Sequence, residues 1–230
     1  ALGLTRSGKS KRKRSARRDG TAKALVRDLD ALRGVDASVK LKAKRVLAAG
    51  IDLDKVSLNL SISDGVAVLR PVRAGIGGGI ATADVTLDAT GEAPALALIL
   101  RTKKVDVAEL TALLGAGDML KGAVDVEVDL RSRGATVPAL AAGLNGSLSA
   151  VMGPGELRNE YFDMLSTDVI ESISPWASPR RTARINCAVA RFEVRNGIAV
   201  SRATVIDSQR ATLVGDGAID LGRERIGFTV

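Results

Sequence analysis

The chain of 230 residues contains no histidine and one cysteine, Cys187. Without histidine, a His-based triad is impossible, and so is a zinc site built from His and Cys. A lone cysteine cannot form a disulfide within the chain. Aromatics are nearly missing: Tyr161, Phe162, Trp176, Phe192 and Phe228 are all there are. Large rings bury the most area per residue, so a compact core of this length would normally hold more of them. Nor is there an apolar run long enough for a transmembrane helix.

What is present is aliphatic. Hydrophobic residues make up 46% of the chain, enough to argue against disorder throughout. They are mainly Ala, Val, Leu and Ile, which suit many thin strands. The net charge of +8 has a local origin. Eight basic residues (Arg6, Lys9, Lys11, Arg12, Lys13, Arg14, Arg17 and Arg18) lie in the first 18 positions without an acid among them. Removing them from 34 leaves 26, equal to the 26 acidic residues, so the body is neutral. Residues 1–20 read as a disordered basic linker. A nucleic-acid partner would rest on that tail alone, because the body has no aromatic-basic surface to stack bases; none is expected.

Residues 21–230 read as one β-rich region with helical interruptions near 21–33, 106–114 and 159–173. Strict alternation marks the strands, because successive side chains of a strand point to opposite faces. Val39 and Leu41 alternate with Lys40 and Lys42. Leu58, Leu60 and Ile62 alternate with Asn59 and Ser61. Val85 and Leu87 restart the pattern, followed by Leu96 and Leu98. Val124, Val126, Val128 and Leu130 alternate with Asp125, Glu127 and Asp129, and Phe192 and Val194 follow later. Leu60–Val68 and Phe192–Val200 share a strand, Asx-Gly turn, strand pattern, a weak internal repeat that suggests stacking.

These strands have one apolar face each, and that face must be covered. The helices are too few and short for a βαβ fold. Periodicity leaves two architectures open, a closed β-sandwich or an elongated antiparallel sheet curled into an open apolar groove. The missing aromatics favour the groove, since Val, Leu and Ala leave a smooth lining. The alternating apolar residues named above are the candidate lining, and an acyl lipid is the ligand such a lining suits. Other chemistry finds little support. Asp125 and Asp129 sit on the polar side of a strand, Gly75–Gly79 lacks the ending of a phosphate loop, and Cys187 reads as a small core residue. No cofactor, metal or catalytic residue is expected.

Several segments together resemble the AsmA family. They are Val26–Asp30 with Asp36–Ala43, Leu58–Leu69 with Pro71, Leu120–Gly134, Leu144–Leu148, and Gly215–Leu221. Members are related to TamB-type bridge-like lipid transfer proteins. The resemblance implies a non-catalytic periplasmic segment, anchored to the inner membrane of a Gram-negative bacterium by a region outside this stretch. It implies phospholipid transport or outer-membrane biogenesis, with phospholipid and envelope proteins as partners. It also implies a curled β-structure with an apolar groove. The chain starts without Met and stops in mid-pattern at Val230, as expected of a fragment of a longer protein. The basic run at 9–18 departs from the family pattern.

Overall fold

The computed structural model describes residues 31–48, 51–113, 120–158, 182–223 and 225–229. The linker at 1–20 and the helix expected at 159–173 lie outside these residues. Of the helix expected near 21–33, only the last turn falls within them, as a 3-10 turn at Ala31–Gly34.

The strands are β1 (Ala37–Ala48), β2 (Ile51–Ser63), β3 (Val66–Ile76), β4 (Gly79–Asp88), β5 (Ala95–Lys103), β6 (Val105–Asp106), β7 (Leu120–Arg133), β8 (Asn145–Arg158), β9 (Thr182–Arg195), β10 (Ile198–Ser208), β11 (Thr212–Val214), β12 (Asp216–Asp220) and β13 (Arg225–Thr229). Among the described residues two short α-helices interrupt them, α1 (Val107–Leu113) and α2 (Val137–Ala142). All thirteen strands join one sheet, and its order follows the chain: β1-β2-β3-β4-β5-β7-β8-β9-β10-β12-β13, with β6 on β7 and β11 on β10. Every pairing is antiparallel. β1 and β13 end the series without meeting, so the sheet curls but does not close. A sandwich would need two facing sheets, and one continuous path replaces them.

Tight turns explain the sequential order. Asp64-Gly65 and Asn196-Gly197 each place two residues in the left-handed region, at φ 49° and 77° and at 49° and 74°. That is the geometry of two-residue hairpin loops whose twist matches the strands they join. Gly77-Gly78, with φ 51° and 74°, makes a third such turn. The Gly75–Gly79 stretch is therefore the hairpin between β3 and β4.

Curvature comes from slips in the ladder. Register shifts fall between Asp54 and Ser57, Leu69 and Val72, Gly122 and Val124, Ser201 and Ala203, and Asp207 and Ser208. An extra residue on one strand bends it and increases its twist. The helices sit at the strand ends. Thr136 caps α2 by accepting from the Ala139 amide at 3.2 Å, and Ser132 Oγ donates to Leu140 O. Asp106 Oδ1 accepts from the Ala108 amide at 3.0 Å and starts α1. Arg33 donates to Ala89 O and Gly91 O, tying the 3-10 turn to the β4–β5 loop.

Candidate functional site

Directly paired residues of an antiparallel ladder share a face. Following the pairs across the sheet therefore sorts every side chain. Val39 pairs with Leu60, and Leu41 with Leu58. Leu60 pairs with Leu69, and Ile62 with Ala67. Leu69 pairs with Val85, and Ala67 with Leu87. Val85 pairs with Leu98, and Leu87 with Leu96. Leu98 pairs with Leu130, and Leu100 with Val128. Val124, Val126 and Val128 pair with Met152, Ala150 and Leu148. Leu148 pairs with Phe192, and Gly146 with Val194. All the candidate lining residues thus lie on one continuous face. From β1 to β10, no Asp, Glu, Lys or Arg takes a ladder position on it. From β1 to β10, nine strands in line at about 4.8 Å spacing give this face a run of roughly 40 Å.

Burial divides the face into two parts. Under α1 it is closed. Val107, Val124, Met152 and Ile185 are buried there, with Leu110, Leu120, Leu157 and Ile206 packed around them. The strand residues packed beneath α1 all belong to β7–β10. Over β1–β5 the face is mixed: Val56, Ala67, Ala74 and Ile76 are buried, and the rest is more open. Leu58, Leu60, Ile62, Val85, Leu87, Leu96 and Leu98 are half-buried, and Val39 and Leu41 are 46% exposed. Among the described residues, no helix of the α1 kind covers them.

The hydroxyls on this face are already engaged. Thr102 Oγ1 accepts from the Val126 amide at 2.9 Å, Ser201 Oγ shares a hydrogen bond with Thr204 Oγ1, and Ser208 Oγ donates to Ala211 O. Ser132 is committed to α2. The face thus offers contact area and almost no directional bonds.

The opposite face is charged and wet. Glu193 accepts from Arg202 at 2.8 Å and from Arg195 at 2.7 Å, and these bonds hold its carboxyl below the usual value. Thr212 and Asn186 lower Asp207, and Thr90 lowers Asp88. Arg45 and Asp52 form an exposed bidentate pair. Such exposed pairs add little stability each.

The AsmA family profile matches residues 5–204. The chain belongs to the AsmA family. It is 22% identical over 197 residues to the AsmA family protein YhjG of Escherichia coli (strain K12). That alignment covers 85% of this chain but 29% of YhjG, so the chain spans less than a third of that relative's length. No solved structure matches it.

Some features of this AsmA-family sheet escape a reading of the sequence. Cys187 is exposed, which corrects its assignment to the core. The ladder slips between the Asp207–Cys187 and Ser208–Ile185 pairs. Ile185 and Ala188 therefore share the apolar side and Cys187 turns out to the polar one. Asp125, read as a merely solvated acid, accepts from the Lys104 amide at 2.7 Å and fixes the backbone entering β6. Only the contact across 21 residues shows this role. Among the described residues, no helix is long and apolar enough to cross a membrane.

Proposed function

We propose that this AsmA-family segment is a non-catalytic lipid carrier, holding the acyl chains of phospholipids along the more open apolar face of β1–β5. It would act in the periplasm, within a protein anchored in the inner membrane by another region, and support phospholipid movement or outer-membrane biogenesis. The observation that carries this reading is the uncharged face itself: continuous across the sheet, half-exposed at one end, with its hydroxyls occupied. Each methylene buried there contributes about 0.8 kcal/mol, and nothing on the face ties a chain to one position. Retention without fixed anchoring is what a sliding lipid needs.

Native mass spectrometry of the purified chain, with lipid extraction, tests the reading. Phospholipid should co-purify with the wild type. Leu60→Asp with Leu98→Asp should lose it, because both place charge on the open face. Ser61→Asp, on the polar side of the same strand, should retain it. The competing reading is a scaffold for outer-membrane protein assembly that carries no lipid. It would be favoured if the wild type carried no lipid, or if all three substitutions had the same effect.

A further inference from the structure

Among the described residues, the sheet begins at an unpaired edge. β1 is twelve residues long and, among the described residues, pairs only with β2. Its other side presents a row of backbone donors and acceptors to whatever lies beside it. The apolar face reaches this edge without interruption, since Val39 and Leu41 are each 46% exposed. On the polar side of β1 the charges run one way. Lys40 lies opposite Asn59 and Lys42 opposite Ser57. Among the described residues, no carboxylate pairs with Lys40, Lys42 or Lys44. Elsewhere on the polar face several acids and bases meet across strands. Glu193 takes Arg202, Asp84 takes Arg70, and Glu127 lies opposite Arg101. Lys40, Lys42 and Lys44 are a run of like charges along one edge strand.

Complementarity identifies what fits. A second copy of the chain does not: β1 against β1 sets lysines beside lysines, and the far edge, β13, brings Arg225 and no carboxylate. Like charges across a strand pair are destabilising. The same lysines therefore repel a second copy and favour an acidic strand. We propose that β1 is a docking edge for an extended segment of a partner protein in which Asp or Glu alternates with aliphatic residues. Such a segment adds a strand by main-chain hydrogen bonding. Its acids would face Lys40, Lys42 and Lys44, and its aliphatic residues would prolong the apolar face beyond Val39 and Leu41. The chain already contains a strand of this kind, β7, with Asp125, Glu127 and Asp129 between Val124, Val126 and Val128.

The probe is a fluorescent peptide, Ala-Val-Asp-Val-Glu-Val-Asp-Leu, titrated into the full chain and followed by anisotropy. Two controls accompany it: the same peptide with lysine at each acidic position, and a scramble with the three acids contiguous. The alternating acidic peptide should bind about tenfold tighter than either control. In the chain carrying Lys40→Glu, Lys42→Glu and Lys44→Glu, the preference should reverse towards the lysine peptide. Amide exchange should slow in β1 when the acidic peptide binds the unmodified chain, a readout that does not depend on the variant folding. The proposal is overturned if no peptide binds, if the acidic peptide and its scramble bind equally (the signature of the basic tail at 6–18), if the folded triple variant keeps the original preference, or if β1 gains no protection. None of these results bears on lipid carriage by the face itself.

Discussion

Truncating one side chain under α1 and one on the open face should produce clearly different losses of stability. Met152 is 3% exposed and packs among Val107, Val124 and Ile185. Cutting it to alanine leaves a void that α1 and β9 cannot fill, and such truncations cost about 3 kcal/mol, within a range of roughly 2–5. Leu41 is apolar too and lies on the same face, but it is 46% exposed. About half its transfer energy is realised and no closed void remains, so Leu41→Ala should cost about 1 kcal/mol. Urea unfolding followed by far-ultraviolet circular dichroism separates the two. With a slope of about 2 kcal/mol per molar, the midpoint should fall by roughly 1.5 M for Met152→Ala and roughly 0.5 M for Leu41→Ala. Bound lipid sharpens the contrast: in lipid-loaded chain the Leu41 loss should grow and the Met152 loss should not. Equal midpoint shifts for the two variants would refute the division into a closed part under α1 and a more open part over β1–β5.

Other perturbations probe the frame around this face. Gly146 has φ 139°, and a Cβ there would lie 1.9 Å from Asp129 O. Gly146→Ala should therefore destabilise by about 2–4 kcal/mol on the same urea assay, far more than a surface alanine normally costs. Hydrogen bonds from Arg202 and then Arg195 lower the Glu193 carboxyl below its ordinary 4.5 in the folded chain. A depressed carboxylate stabilises the fold above its unfolded value and loses that contribution as pH falls through its folded value. The urea midpoint should thus decline as pH drops below about 4.5, and Glu193→Gln should flatten part of that decline. An unchanged pH profile in Glu193→Gln would remove the carboxylate from the account.

Alternation made most of the apolar face legible, because a period of two needs no knowledge of the partner strand. It stopped at the slips. Lys55, with φ 50°, lies at the bulge that changes the phase of β2. Leu53 and Val56 then point the same way although they are three positions apart, and counting by twos sends one of them outward. The slip near Cys187 misled in the same manner. Periodicity alone did not decide between sandwich and single sheet, since that depends on which strands pair at long range; the missing aromatics and the family resemblance favoured the curled sheet that is found. The Asx-Gly turns of both repeat units read correctly as hairpins, being local. The helical interruption near 106–114 was legible as α1, but not that it would pack onto β7–β10.

The central claim is that acyl chains lie on one face of this sheet. Site-specific photocrosslinking in cells reads it most directly. A benzophenone side chain placed in turn at Leu58, Asn59, Leu60, Ser61 and Ile62 of β2, and at Val85, Thr86 and Leu87 of β4, should capture phospholipid with a period of two. Adducts are expected at Leu58, Leu60, Ile62, Val85 and Leu87, and not at Asn59, Ser61 or Thr86. Capture on both faces alike, or at none of these positions, would contradict it.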